Sequence, residues 1–254
     1  MERERSLIRS EFERAAGTFA ERTAGRFDDM DVPRFSRVQP GELVLEVGVG
    51  TGNFLSLFSH MTDRLLGVDV TLGMLRQARV HHSGLALAVA DGARLPFASR
   101  SIDVVASAQM LHHVRGPLPV LKEMRRVGGR VLLVDQVATE NYEQTVVRNA
   151  LEVLRDPSHA ASRPASAYRV LLQAAGLTPV DERIWEGPQR LSQWMWPGEF
   201  PDERIEAVRA FIEEHGRETG MGFERDGDDW IFTRRRIMLL AERNAGAGGP
   251  GLRR

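Results

Sequence analysis

The chain has 254 residues, 42% hydrophobic and 27% charged, with a formal net charge of −1 and no cysteine. That composition is ordinary for a globular protein and fits one α/β domain with insertions, while the near-zero charge gives no field toward nucleic acid or an anionic membrane surface. Disulfides and thiolate-held metals are excluded and a reducing cytoplasm is the expected setting; no apolar run approaches the roughly 18 residues of a membrane span, and residues 1–5 lack the apolar core of a secretory leader.

Residues 6–27 place Ile8, Phe12, Ala15, Ala16 and Phe19 at helical spacing among Glu and Arg, which predicts an amphipathic helix ahead of the first strand. Residues 32–40 read as a loop punctuated by Pro33 and Pro40-Gly41. The Leu- and Val-rich run 43–47 reads as a buried strand. Gly48, Gly50 and Gly52 then alternate, and residues 54–58 read as a helix. Glycine at a strand-to-helix turn permits positive φ and lets a ligand approach the backbone; a helix starting there presents unpaired N–H groups to the same crevice. The G-x-G-x-G spacing is shorter than the G-x-G-x-x-G dinucleotide fingerprint, and an acid, Glu46, precedes it.

Residues 64–69 predict a second strand ending in Asp69, at the carboxyl strand end where open α/β sheets bind ligands. A carboxylate there is able to accept both hydroxyls of a ribose. Thr71 is a plausible N-cap for the next helix, and His81-His82 read as its solvated end. A third strand, 85–90, ends in Asp91-Gly92-Ala93 and is followed by Leu95-Pro96-Phe97; a fourth, 101–107, runs into Ala108-Gln109-Met110-Leu111-His112-His113. Residues 119–127 predict a helix, and Gly128-Gly129 open a fifth strand reaching Asp135. A helix over 142–155 is closed by Asp156-Pro157-Ser158-His159, since Pro157 forbids its continuation. Residues 165–175 are helical up to Gly176, a C-cap signal, before a sixth strand over 177–185. Trp194, Met195 and Trp196 fall in an insertion with Pro197 and Pro201; residues 202–219 carry a helical stripe of Ile205, Val208, Phe211 and Ile212; residues 229–233 and 237–240 read as a seventh strand; and the Gly-rich tail 244–254 is expected to be disordered.

The glycine loop after Glu46, Asp69, Asp91 with Leu-Pro-Phe, Leu-His-His and the Gly-Gly strand together resemble the class I S-adenosylmethionine-dependent methyltransferases, in the small-molecule, ubiquinone/menaquinone-type (methyltransferase 11-like) group. The resemblance spans about residues 10–185. It implies an α/β Rossmann-like sheet of seven strands in the order 3-2-1-4-5-7-6, strand 7 antiparallel, with helices on both faces. It divides the chain into an N-terminal helical lid (1–40), a methyltransferase domain (41–243) with cap insertions at about 140–165 and 189–225, and the tail.

The implied cofactor is S-adenosylmethionine, giving S-adenosylhomocysteine as product. On the family's pattern Glu46 fixes the loop and the ammonium end of the cofactor, Asp69 faces the ribose, Met74 packs on adenine, Asp91 with Gly92 and Ala93 meets the adenine edge, and Val70 belongs to the same cofactor-binding set. Phe19, Gly48, Gly50, Gly52, Asn53, Ser107, Ala108, Gln109 and His113 complete the expected cofactor set. Ser107 stands where catechol-type enzymes of the fold have an acid, and no metal is expected. His112, in the loop that faces the methyl group, is either a general base, its ordinary pKa lying near working pH, or a brace under the loop. His159 and Tyr142 are the other catalytic candidates. The implied partner is a small-molecule acceptor, secondary-metabolite or quinone/isoprenoid-like, with Trp194, Trp196 and Phe223 pointing to an apolar body; the chain is expected to act as a monomer or homodimer. The motifs of nucleic-acid adenine and protein-arginine methyltransferases are missing. Two other classes stay open: a nicotinamide-dependent oxidoreductase on the same sheet, and a non-catalytic partner subunit of the fold.

Overall fold

The structure, a computed structural model, describes residues 2–195 and 200–244. Trp196 and Pro197, and the tail from residue 245 onward, lie outside the described residues. The parallel strands are β1 (Val44–Val47), β2 (Leu65–Asp69), β3 (Ala86–Val89), β4 (Ile102–Ala108) and β5 (Gly128–Ala138). Every residue of β1 is buried, and so is all of β4 except Asp103, the near-continuous apolar pattern of strands covered on both faces. The chain continues through β6 (Arg163–Pro164), β7 (Leu177–Arg190), β8 (Glu224–Asp226) and β9 (Asp229–Arg243). The sheet runs β3-β2-β1-β4-β5-β9-β7, with β9 antiparallel to both neighbours. This is the expected order 3-2-1-4-5-7-6, the sixth and seventh strands being β7 and β9.

The helices are α1 (Glu2–Thr23), α2 (Val32–Ser36), α3 (Leu72–His81), α4 (Leu118–Val127), α5 (Tyr142–Arg155), α6 (Ala165–Ala174), α7 (Leu191–Trp194) and α8 (Asp202–His215). Two apolar clusters flank the sheet. One joins α4 and α6 to it through Leu121, Met124, Tyr168 and Leu172; the other packs Phe27, Phe35, Phe54 and Phe58 against the opposite side. A third gathers Leu151, Trp194, Val208, Ile212 and Phe232 where α5, α7 and α8 meet the outer half of β9.

Four local expectations are corrected. Residues 54–58 form a single 3₁₀ turn, Leu55–Phe58, rather than a helix; the Ser56 hydroxyl bonds back to the Asn53 carbonyl at 3.0 Å and Thr62 Oγ1 bonds the Glu42 carbonyl at 2.8 Å, so local side-chain bonds compete with helix propagation. Residues 32–36 are helical rather than loop: Pro33 sits in the first turn, where its missing N–H costs nothing. Thr71 occupies the N-cap position of α3 without a capping bond, its N–H and hydroxyl turning instead to Asp69. His82 is not a solvated helix end: Nε2 lies 3.0 Å from Asn53 Oδ1.

The last strands are longer than their patterns foretold. β7 and β9 pair from Leu177↔Arg243 to Arg190↔Ile231, with a register shift between Pro179 and Asp181 where proline lacks an N–H. Gly176 takes φ +79° after α6, as its C-cap signal requires.

Candidate functional site

Two cavities meet at the carboxyl ends of β1, β2 and β4. The first, about 360 Å³, is lined by Glu46, Gly48, Gly50, Asp69, Val70, Met74, Asp91, Gly92, Ala93, Ala108 and Gln109, with Phe19 and Asn53 at its α1 side and His113 beyond. The backbone explains its shape. Gly48 and Val49 donate to the Val68 carbonyl at 2.8 and 3.0 Å, which folds the loop over the end of β2. Gly50 has φ +53°, and a Cβ there would meet nothing within 4 Å, so the loop presents bare backbone to the cavity. Gly50 N–H donates to Asp69 Oδ2 at 2.9 Å, and Thr71 N–H to Oδ1 at 2.8 Å. Asp69 thus ties the glycine loop to the start of α3 while lining the cavity. Burial raises its pKa against those hydrogen bonds.

Glu46 is 1% exposed. Burial first, then the neighbouring Asp69, pushes its carboxyl well above the usual range, against one hydrogen bond from Leu55 N–H. Its Oε2 has no hydrogen-bond partner among the described residues. An orphaned buried carboxylate oxygen is costly, and here it borders a cavity.

Two expected cofactor residues are displaced from this cavity. Gly52 has φ +85°, and a Cβ there would strike Leu85 at 2.8 Å and His82 at 3.0 Å, so it serves packing of the loop on the sheet edge. Ser107 is buried inside β4 with Oγ unpartnered among the described residues, and Ala108 and Gln109 line the wall instead. Asn53 reaches the wall, but its amide is engaged: Nδ2 donates to the Ala20 carbonyl and Thr23 Oγ1 at 2.7 and 2.8 Å while Oδ1 faces His82. It fastens α1 over the loop.

The second cavity, about 740 Å³, is reached past Phe12, Phe19, Arg26, Gln109 and His113, which line both. His112 stands on its wall. Its Nδ1 is 2.5 Å from Asp135 Oδ1, and its backbone N–H donates to Oδ2 of the same carboxylate at 3.2 Å. Burial pushes Asp135 up to about 6. Burial, then the imidazoles of His113 and His159, holds His112 well below its ordinary value. At neutral pH the pair is therefore carboxylate and neutral imidazole. A carboxylate only accepts, so Nδ1 carries the proton and Nε2 keeps its lone pair.

The remaining catalytic candidates do not join this pair. His159 is buried and braced: Nδ1 faces Gln136 Nε2 at 3.3 Å, and Nε2 lies 3.0 Å from Asn149 Oδ1 and accepts from Ser162 N–H at 3.1 Å. It is neither solvent-exposed nor in a cavity wall, and burial lowers its pKa to about 4. Tyr142 is 80% exposed at the first turn of α5 and lies outside both cavities, because the Asn141 cap, accepting from Gln144 N–H at 3.0 Å, starts the helix on the outer surface. Asp156 ends α5, accepts from Ser158 N–H and Oγ at 2.9 and 2.6 Å, and lines the second cavity. Burial opposes its ionisation, yet His113, Arg155 and those bonds hold it below the usual carboxylate range.

Asp135 and the arginines of the second cavity, among them Arg26, Arg155, Arg234 and Arg236, went unread in the sequence. Their signals are a lone acid in an apolar strand, and an Arg-Arg-Arg run in which residues 234 and 236 share one face of β9.

A methyltransferase-domain family matches residues 45–133, the stretch that builds β1 to β5 and the first cavity. The chain is 30% identical over 175 residues to the uncharacterized methyltransferase YcgJ of Bacillus subtilis, covering 65% of this chain and 68% of that one. It is 26% identical over 161 residues to the demethylmenaquinone methyltransferase of Renibacterium salmoninarum, covering 61% and 65%. The crystal structure of YcgJ superposes with a TM-score of 0.79 over 85% of this chain and 97% of that one, at 23% identity.

Proposed function

The chain belongs to the class I S-adenosylmethionine-dependent methyltransferases, and from that footing we propose that it methylates an O, N or C atom of a small-molecule acceptor, of the secondary-metabolite or quinone-like kind, held in the second cavity. The observation that carries this reading is Glu46, a buried carboxylate with an unpartnered oxygen beside a bare glycine loop. A cationic ammonium group answers that oxygen, and the Gly50 backbone admits a ligand without a Cβ in the way. Asp69 is placed for ribose hydroxyls, Met74 for a base face, and Asp91 with Gly92 and Ala93 for the base edge. The residues present therefore fit S-adenosylmethionine. Residues 1–40 act in this reading as a lid, with Phe12 and Phe19 on α1 over the junction of the two cavities, and the stretches at about 140–165 and 189–225 as the cap of the acceptor cavity.

When bound there, S-adenosylmethionine would supply an electrophilic methyl group, with the C–S electron pair leaving on sulfur as a neutral thioether. The chain's part is to hold the acceptor in line and to exclude water. His112 Nε2 takes the proton that an O–H or N–H acceptor gives up as its bond to the methyl carbon forms, and Asp135 fixes the imidazole's tautomer and orientation. Asp135 acts through His112 and is a positioning residue.

Titration calorimetry with S-adenosylmethionine, S-adenosylhomocysteine and NAD tests the donor assignment: the first two bind and NAD does not. Binding of NAD alone overturns it. Transfer of radiolabel from S-adenosylmethionine to small molecules separates the enzyme from a non-catalytic subunit, which binds the cofactor and transfers nothing.

A further inference from the structure

The second cavity is walled by arginines whose counter-charges do not balance. Arg236 is satisfied: it donates to Asp29 Oδ2 at 2.7 Å and to the Arg26 carbonyl. Arg155 lies 3.3 Å from Glu152 and stacks over Trp194 at 4.5 Å. Arg26 and Arg234 differ. Among the described residues the Arg234 guanidinium makes a single hydrogen bond, to Gln109 Oε1 at 3.3 Å, and Arg26 sits 5.9 Å over the Phe19 ring. Neither guanidinium has a carboxylate within ion-pair distance among the described residues. The acids of the cavity wall answer its other cations: Glu11 pairs with Arg14, Asp29 with Arg236, and the charge of Asp156 acts on Arg155 and Arg22.

Burial first, then neighbouring guanidinium charges, depress both groups: Arg234 to about 10, with Arg236 and Arg155 against its charge and Glu152 for it, and Arg26 well below its ordinary value, with Arg234, Arg22, Arg155 and Arg236 all against it. Like charges gathered in a poorly solvated cavity cost stability. Such a cluster is made favourable by a ligand that brings negative charge, and guanidinium is the side chain best matched to an oxyanion. Aromatic walls at Phe12, Phe19 and Trp194 accompany the charge.

We infer that the methyl acceptor carries an anionic group, a carboxylate or a phosphate, seated against Arg26 and Arg234, with an apolar body along the aromatic wall. The inference rests on the methyltransferase reading and narrows its acceptor to amphiphilic acids. Gln109 and His113, like Arg26, line both cavities and so stand where the two join.

The test uses the full chain saturated with S-adenosylhomocysteine and three probes of one shape: benzoate, phenyl phosphate and neutral benzamide. Calorimetry is expected to show benzoate or phenyl phosphate binding and benzamide not; which of the two binds tells carboxylate from phosphate. Arg234→Gln and, separately, Arg26→Gln weaken the bound anion roughly tenfold or more and do not lower the melting temperature of the ligand-free protein, because each removes a repelled charge; Arg234→Gln, whose side chain lies outside the first cavity, also leaves S-adenosylhomocysteine affinity unchanged. Arg235→Gln, on the opposite face of β9 where Arg235 pairs with Glu186 at 2.7 Å, leaves anion binding intact. Equal binding of all three probes, no binding of either anion, or full anion binding in both cavity variants overturns the proposal while leaving the donor assignment standing. Failure of the wild-type chain to bind S-adenosylhomocysteine overturns the reading beneath it.

Discussion

The two cavities are built by different rules. The first is made at the ends of adjacent parallel strands, and much of its wall comes from short stretches just past them, Glu46 to Thr51, Asp69 to Thr71, Asp91 to Ala93 and Ala108 to Met110, with α1 closing one side. The second draws on α1, the loop after it, the His112 turn, the end of α5 and β9, segments as distant as Glu11 and Arg236, and carries far more charged side chains. A donor common to a whole family is held by what parallel-strand topology supplies at each strand end. An acceptor particular to one enzyme is held by side chains that insertions and strand extensions bring together.

The largest expected effect falls on the second cavity. His112→Ala lowers kcat by roughly 10²–10⁴-fold if the acceptor must lose a proton, with little change in S-adenosylmethionine affinity. The pH profile sharpens the assignment. Asp135 is pushed up to about 6; below that pH the pair takes up a proton. Whether it rests on the carboxylate or the imidazole, Nε2 no longer offers a lone pair with an orienting anion behind it. Activity in the wild type therefore falls as pH drops through about 6, and Asp135→Asn loses that limb together with most of the rate. A rate loss in His112→Ala that is small and independent of pH, with a lower melting temperature, makes the residue a brace and breaks the proposed division of labour.

That contrast also accounts for what the sequence made legible. The sheet order and many of the strand-end residues that line the first cavity are readable, because strand ends, glycine turns and acids occur there in local patterns. The exceptions are instructive. Gly52 belongs to the same glycine run as Gly48 and Gly50, yet its missing side chain makes room for Leu85 and His82; spacing alone does not tell which neighbour a glycine accommodates. The 54–58 run has helical periodicity but too few residues before Thr62 is tied to Glu42. In the second cavity His112 was readable as a loop residue, whereas its partner Asp135 is 23 residues away on a neighbouring strand. The Arg26–Arg234 seat joins the two ends of the chain, a juxtaposition only the fold creates.

A smaller effect belongs to Glu46. With its pKa raised by burial and by Asp69, this carboxyl contributes stability that is fully present below its unfolded-state value and lost as pH rises through the folded one. Glu46→Gln keeps the acceptor for Leu55 N–H and removes the buried charge. In the ligand-free protein the variant's melting temperature therefore gains on the wild type between pH 5 and pH 8. With S-adenosylmethionine the ranking reverses, because losing one charge-assisted bond costs about 1.5–3 kcal/mol, roughly a 10- to 150-fold weaker affinity. Parallel melting curves with and without the ligand at both pH values check both signs; no pH-dependent gain without ligand removes the buried-charge account of this site.

The smallest expected effect is at Tyr142, and it tests whether the acceptor cavity ends where its walls do. The side chain is 80% exposed, one residue past the Asn141 cap, with the length of α5 separating it from Asp156, where that helix meets the cavity. Tyr168 shows what an engaged tyrosine looks like in this fold: it is buried, and its hydroxyl donates to the Gln136 carbonyl at 3.1 Å. Tyr142→Phe removes only a solvated hydroxyl. Its stability change is expected within about 0.5 kcal/mol, as for other surface substitutions, with kcat, KM and the pH profile unchanged. Tyr168→Phe, by contrast, leaves a buried carbonyl without its donor and lowers stability by about 1–3 kcal/mol. A fall in kcat with Tyr142→Phe at unchanged stability means that the cap closes far enough during turnover to bring the α5 N-terminus onto the acceptor, and the static cavity wall then understates the site.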